Sequence, residues 1–558
     1  MKFGSVAVEG ALGCVLAHAV KLNALTLKKG KVLAQADIDS LTAENVNYVI
    51  AAQLDVSDVA EDEAARLLSI AISGENATAQ EAFTGRANLY AGQPGVLLID
   101  EMRLKQINHL HESLTIATLP AFARVGRRDM LATVKIIPFA TPREVLEKAL
   151  TIVGLKPVVL VAAFKPLRVG LIITRLPQTK DTIVMKSETA IRDRVIALGG
   201  SLTQVVVCNH AQDLLAQHVR ALKNVDLILL FGASAIVDRA DVVPAALIDA
   251  GGVVKHIGMP VDPGNLLMLG ALHDVPVIGV PSCARSPKTN GFDWVLERIM
   301  AGIEVSSSDL MDMGAGGLLA EIKSRPQPRE GQMSSMSSMS SMSSMSSMSS
   351  MSSMSSMSSM SAPRIAAVVL AAGLSSRMGS NKLLSDLNGQ ALIQHTIGRL
   401  GKAAIDEIIV VTGHQAAEVR AVLKDHKLRF VHNENYAQGL STSVRAGIAA
   451  AQEFDAAFVI LGDMPLIEAA DLNRMIAAFN GVEGRSLVAP ILGRKLGNPV
   501  LWGQEHFVDL MALTGDRGAR SLIEARRDQI VEIAVTHDGI LLDADTPEAL
   551  AEIRAKLK

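Results

Sequence analysis

Apolar runs of strand length alternate with helical patterns through the middle and end of the chain. Residues 158 to 162 (Val-Val-Leu-Val-Ala), 169 to 174, 202 to 208 and 225 to 231 are β-branched, bounded runs of the kind that become buried strands. Between them, Ser187 to Leu198 and Ala211 to Leu222 carry apolar positions at helical spacing. Strand and helix in alternation predict a parallel, doubly wound α/β sheet. The same signal returns at 364 to 370 (Arg-Ile-Ala-Ala-Val-Val-Leu), at Ala457 to Leu461 and, as a strand-like run, at Gly539 to Leu542. Residues 1 to 145 are less regular. A helix at Asp62 to Ile72 and short strands at Gly95 to Ile99 and Leu131 to Ile137 give an α+β reading there.

One tract has neither period. From Met333 to Ser361 the chain repeats Met-Ser-Ser. A three-residue repeat winds its methionines around a helix instead of stacking them on one face, and serine is a mediocre helix former. Residues 326 to 362 therefore read as a disordered, flexible tether, spanning roughly 30 Å as a coil of about 30 residues. The expected organisation is an α+β region at 1–145, an α/β domain at 146–325, the tether at 326–362 and a second α/β domain at 363–558.

Composition narrows the classes. At 558 residues the chain exceeds one core. Hydrophobic residues make up 49% and aromatics 3%, so the cores are aliphatic. The 54 basic and 57 acidic side chains, net −3, are interspersed, which argues against a nucleic-acid partner. The three cysteines, Cys14, Cys208 and Cys283, lie far apart, fitting neither a disulfide framework nor a zinc site. No stretch offers about 18 uninterrupted apolar residues, and Glu9 interrupts any leader-like start. A cytoplasmic protein without a membrane partner is expected. The acidic run Asp55, Asp58, Glu61, Asp62 and Glu63 reads as a helix start.

Candidate chemistry concentrates after the tether. The strand ending at Leu370 opens into Ala371, Ala372 and Gly373, small residues that let a nucleotide approach backbone N–H groups. Arg377 and Lys382 place two cations beside that loop, as a triphosphate requires. Asp463 follows a second buried strand and Asp545 a third element. In an open α/β sheet both would face the crevice beyond the strand ends. Two hard carboxylates suffice for Mg²⁺. The competing reading of Asp545 is a helix N-cap before Thr546-Pro547-Glu548.

The motifs LAAGLSSRMG (370 to 379) with Lys382, VTGH (411 to 414), QGLSTSVRAGI (438 to 448), GDMPLI (462 to 467), GNPV (497 to 500), TGDRGAR (514 to 520) and DADTPEAL (543 to 550) together resemble the molybdenum-cofactor cytidylyltransferase branch of the MobA-like NTP-transferase family. The resemblance covers nearly all of residues 364 to 558 and implies a Rossmann-like nucleotidyltransferase domain. It implies that CTP and molybdopterin, or its molybdenum form, are the substrates. Leu370, Ala371, Ala372, Gly373, Gly439 and Ser441 would contact the nucleotide, with His414 and Ser443 as weaker candidates. Arg377 and Lys382 would hold the triphosphate, and Asp463 and Asp545 the Mg²⁺. Guanylyl transfer, sugar nucleotidyl transfer and glycosyl transfer remain open, since these chemistries share the fold. Asn498 stands where the family often has His.

Residues 150 to 305 resemble the molybdopterin-binding domain of the Mog and MoeA families in worn form, which implies Gly232, Ser234, Pro263 and Gly264 as pterin contacts, with Asn498 of the rear domain a further weak candidate. The acid pair of the family's TGDE motif is missing, since the chain reads Thr174-Arg175-Leu176-Pro177. Residues 1 to 145 resemble MoeA-type architecture loosely. Two functions are consistent with this pattern. One is a bifunctional maturation protein that captures molybdopterin and cytidylylates it. The other is a non-catalytic module that binds the cofactor and delivers it to a molybdoenzyme or its maturation chaperone.

Overall fold

The computed structural model describes residues 1–23, 25–319, 361–373, 381–481, 484–515 and 519–557. The expected tether lies outside the described residues except at Ser361 and Ala362, and Arg377 also lies outside them. Among the described residues no helix is long and apolar enough to cross a membrane. The molecule is a mixed α/β protein built around two large sheets, with smaller antiparallel sheets before them.

In the N-terminal region, helix α1 (Glu61–Ile72) packs on β1 (Arg86–Ala91) and β3 (Met130–Ile136), while β2 (Gly95–Ile99) belongs to a separate small sheet. Helix α2 (Arg143–Val153) and strand β4 (Val159–Ala163) follow. Strand β4 pairs antiparallel with β2, and Leu146, Ala149, Val153, Val158, Val159 and Val161 share one buried cluster with α1. This corrects the boundary drawn at 145: residues 146 to 163 pack with the first region. A short apolar run records that it will be buried, not which sheet buries it.

The second region winds β5 (Arg168–Arg175), α3 (Asp181–Ala197), β6 (Ser201–Asn209), α4 (Gln212–Ala221), β7 (Leu227–Phe231), α5 (Val242–Asp249), β8 (Val253–Ile257), β9 (Met268–Leu272), β10 (Val275–Val280) and α6 (Gly291–Met300). The sheet order is β6-β5-β7-β10-β9-β8. The first four strands are parallel, whereas β9 and β8 are antiparallel additions. Alternate residues of β7 feed opposite cores: Leu227, Leu229 and Phe231 one, Ile228 and Leu230 the other. That period of two is what burial on both faces demands.

The rear domain repeats the plan with β11 (Ile365–Ala371), α7 (Leu392–Leu400), β12 (Glu407–Thr412), β13 (Arg429–His432), α8 (Leu440–Ala450), β14 (Ala456–Leu461), α9 (Ala469–Ala478), β15 (Leu487–Leu492), β16 (Lys495–Leu496), β17 (Val500–Gly503), β18 (Val531–Ala534) and α10 (Pro547–Lys556). Its order is β13-β12-β11-β14-β17-β15-β16, with β18 beside β15. Strands β13 to β14 run parallel around β11, whose odd residues enter one core and even residues the other. The run Gly539 to Leu542, read as strand-like, is instead a 3-10 turn at Asp538–Ile540. A side chain at Gly539 would meet the Leu466 carbonyl oxygen at 2.3 Å, so the chain turns closely under the Gly462–Leu466 loop instead of pairing in a sheet.

Candidate active site

Three chain segments meet beyond the carboxyl ends of β11 and β14, and backbone hydrogen bonds fasten them. Gly462 N–H donates to the Leu370 carbonyl at 3.1 Å, and Ala544 N–H donates to the Asp463 carbonyl at 3.3 Å. Thr396 on α7 adds a hydroxyl bond to the Gly462 carbonyl at 3.0 Å. The loop after β14 and the segment before α10 are thereby positioned against the end of β11.

At this junction the Lys382 ammonium group is bonded to both the Asp463 and the Asp545 carboxylates. Asp463 is deeply buried, with a side chain 4% exposed, while Asp545 is 43% exposed. Burial would lower the Lys382 pKa, but the charges and hydrogen bonds of the two aspartates outweigh it and hold the value above normal. Lys382 is therefore a cation throughout the neutral range. The role of helix cap falls to the neighbour of Asp545. Thr546 accepts the Ala549 N–H at 3.2 Å, with Pro547 in the first turn of α10, so the Asp545 carboxylate is left to face the crevice.

Oxygen donors from Asp463 and Asp545 fit a hard divalent cation such as Mg²⁺ in charge and chemistry. Sequence reasoning passed over Asp543, although it stands in the same DADT motif. Burial pushes its carboxyl pKa up, and the charges of Asp463 and Asp545 push it further. A cavity of about 610 Å³ opens beside these acids, lined among others by Leu370, Asn498, Trp502, Asp543 and the basic Arg494, Lys495, Arg520 and Arg527. Of those cations the sequence motifs contained only Arg520, at the end of TGDRGAR, and the pair Arg494-Lys495 meets Arg520 and Arg527 only in the fold.

The other predicted residues divide. Leu370 and Ala371 end β11, followed by Ala372 and the exposed Gly373. Gly439 precedes α8 with φ 112°, a conformation that favours glycine. Ser441 is buried in the first turn of α8, where its N–H donates to the Gly515 carbonyl at 3.3 Å. Ser443 accepts from the buried amide of Asn433 at 3.0 Å, as Thr442 does at 2.8 Å, so these hydroxyls fix α8 to β13. The His414 N–H approaches the Ala372 carbonyl at 3.4 Å, which puts it beside the first loop. Asn498 donates its N–H to the Ile540 carbonyl at 2.9 Å on the cavity wall, far along the chain from the front-half residues grouped with it by resemblance. Pro263 accepts the Gly291 N–H at 2.8 Å, and a side chain on Gly264 would strike Gly291 at 2.4 Å, so this pair seats the start of α6. Gly232 and Ser234 lie in the turn after β7.

One further group resembles a metal site: Glu468, Asp471 and His537. The Gly539 N–H donates to His537 Nδ1 at 3.2 Å, which leaves the proton on Nε2, facing Asp471 at 2.5 Å. Arg474 also pairs with Asp471 at 2.5 Å. The cluster is a clamp holding the segment before Asp543 against α9.

Residues 367–530 match the family described as the MobA-like NTP transferase domain. The molybdenum cofactor cytidylyltransferase of Escherichia coli (strain K12) is 30% identical over 185 residues, covering 33% of this chain and 92% of that protein. The bifunctional protein GlmU of Aquifex aeolicus (strain VF5) is 30% identical over 201 residues, 34% of this chain and 38% of that protein. GlmU of Francisella philomiragia is 40% identical over 114 residues, 20% of this chain and 25% of that protein. The chain thus spans well under half the length of these GlmU relatives. A nucleotidyl transferase of known structure from Methanothermobacter thermautotroptrophicus shares 29% identity over 35% of this chain and 97% of its own, at a TM-score of 0.32. Through its rear domain the chain belongs to the MobA-like NTP transferase family and is a nucleotidyltransferase.

Proposed function

We propose that the rear domain transfers CMP from CTP to the terminal phosphate of molybdopterin, or of its molybdenum form, and releases pyrophosphate. The observation that carries this reading is the convergence of Lys382, Asp463 and Asp545, the last two close in sequence to Met464 and Asp543, which line a cavity with four basic side chains and Glu524. A cavity of about 610 Å³ lies in the usual range for small-molecule sites. Arg494, Lys495, Arg520 and Arg527 suit an acceptor that arrives already charged, as a phosphate monoester does.

In the reaction an oxygen of the acceptor phosphate bonds to the α-phosphorus of CTP, and the bond from that phosphorus to the bridging oxygen breaks. Pyrophosphate leaves with the electron pair. No general base is needed, because the attacking oxygen is already anionic. Positioning and charge neutralisation therefore do the catalytic work. Lys382 supplies a fixed positive charge, and Arg377 would supply a second from the loop before it. Leu370 to Gly373 would admit the base and ribose. Mg²⁺, held by Asp463 and Asp545, would neutralise the triphosphate when bound.

The front half would capture the pterin before transfer, and a molybdoenzyme would receive the product. A sugar-phosphate nucleotidyltransferase is the second reading, favoured by the GlmU relatives. Pyrophosphate release should be measured with Mg²⁺, the molybdenum cofactor, and CTP or GTP, and in parallel with UTP and a sugar 1-phosphate. Release with CTP and cofactor, abolished by Asp463→Asn, is expected. Release only with the sugar phosphate transfers the assignment to the second reading. Release unchanged by Asp463→Asn removes the metal role given to that residue.

A further inference from the structure

The sheet of the second region has its own crevice, and its contents are not those of a phosphate cradle. Strand β5 connects to β6 on one side and precedes β7 on the other, so the chain reverses direction across the sheet between β5 and β7. Ligands of open α/β sheets bind at such a point, beyond the carboxyl ends of the strands. Thr174 near the end of β5, His210 just after β6 and Ser234 just after β7 meet there. The Thr174 hydroxyl lies 2.8 Å from His210 Nδ1, and His210 Nε2 lies 2.8 Å from the Ser234 hydroxyl.

Each member has the setting its part requires. Thr174 is buried and accepts the Ala233 N–H at 2.9 Å, which ties the turn to β5 and fixes the hydroxyl. Its second lone pair can take a proton from His210 Nδ1, leaving Nε2 bare against the Ser234 hydroxyl. Ser234 is exposed and His210 half-buried, so the hydroxyl is reachable while the imidazole is held from behind. Burial lowers the His210 pKa, with the charge of Asp241 acting the other way, so the ring is neutral at pH 7 as a proton acceptor must be.

We propose that Ser234 is a nucleophile activated by His210, and that this crevice forms an acyl-enzyme with small uncharged carboxylic esters. The pterin assignment treats the turn as a cradle and gives the imidazole no role. The acids Asp238 and Asp241 follow in the same loop, which favours an uncharged substrate over a phosphate. The Ser234 proton passes to His210 Nε2 as Oγ bonds to the ester carbon. The tetrahedral adduct then expels the alcohol, which takes that proton. Water repeats the sequence on the acyl group, restoring Ser234 and releasing the acid. Thr174 fixes the imidazole but, being neutral, does little to stabilise its charged form, so both steps are slow, and the covalent state accumulates with an ester whose good leaving group speeds acylation alone.

The test treats the full chain with a fluorophosphonate, which bonds to Oγ and loses fluoride, and locates the adduct by peptide mass spectrometry. One adduct on Ser234 is expected, together with an initial burst from p-nitrophenyl acetate. His210→Asn should slow labelling by about 100-fold or more. Thr174→Val should slow it and move the pH profile of labelling, and Thr174→Ser should restore both; a threonine that only fixes the turn would change the rate without moving the profile. Should His210→Asn fail to fold, the Thr174 pair decides in its place. No adduct, an adduct elsewhere, or a labelling rate unchanged by these substitutions overturns the proposal.

Discussion

The two large sheets share a plan and differ in what they hold at the same topological position. Both wind parallel strands around a central pair and open a crevice where the chain reverses direction. In the rear crevice a half-buried ammonium sits between two carboxylates. In the front one a neutral imidazole lies between two hydroxyls. Topology thus selects the place for a ligand, and a few side chains at the strand ends select its charge. On the proposed reading the rear site would meet a polyanion and its metal, whereas the front site would offer proton transfer without net charge.

The largest expected effect tests whether the rear charge is indispensable. Lys382→Ala should lower the rate of pyrophosphate release by about 100- to 1,000-fold, the usual consequence of removing one preorganised donor, and should leave fluorophosphonate labelling of Ser234 unchanged. Parallel loss of both would mean that the crevices are not independent.

A second test contrasts a well-paired buried charge with a poorly paired one. Lys382 has two carboxylates, but among the described residues Glu297 on α6 has only Arg124 as an ion-pair partner, at 3.7 Å, and burial raises its carboxyl pKa to about 7. The folded state therefore binds a proton more tightly than the unfolded chain. The stability cost is absent below the ordinary carboxylate range and grows as pH rises, reaching its full size above about 7. Glu297→Gln should stabilise the front half at pH 8 by roughly 3 kcal/mol and by little at pH 4. Urea midpoints followed through Trp294 would register it, and equal gains at both pH values would contradict the assignment.

Ligand linkage should then separate the two halves. CTP with Mg²⁺ at 100 times its dissociation constant should stabilise the rear domain by about 2.7 kcal/mol and leave the front transition in place, as read by calorimetry. Smallest is Thr546→Ala, which removes the cap of α10. A loss of about 1 kcal/mol is expected, with a raised Mg²⁺ requirement because Asp545 precedes the cap directly.

Much of this was legible in the residues. The alternating runs marked β5, β7, β11 and β14, because burial on both faces leaves a continuous apolar record, whereas β6, read as a buried strand, is a largely exposed edge strand. Lys382, Asp463 and Asp545 stood out because each follows a strand or begins an element at a ligand-binding edge. The fate of 146 to 163 was not legible: a strand's neighbours are fixed by tertiary packing, and Val159 to Ala163 would suit either sheet. Nor was the Thr174, His210 and Ser234 relay, whose members are widely separated and carry no spacing signature. The convergence of the cavity's basic side chains was hidden for the same reason. Asp543, by contrast, was in view and was passed over in favour of Asp545.

Strand β11 divides its side chains between two interiors, Ile365, Ala367, Val369 and Ala371 on one side and Ala366, Val368 and Leu370 on the other. A single residue inserted within it would exchange the two sets and rotate everything downstream by half a turn. Larger aliphatics would then enter the space shaped for alanine, and the reverse. The precision of the proposed nucleotide site would in this sense be inherited from the parity of a strand that meets it only at its tip.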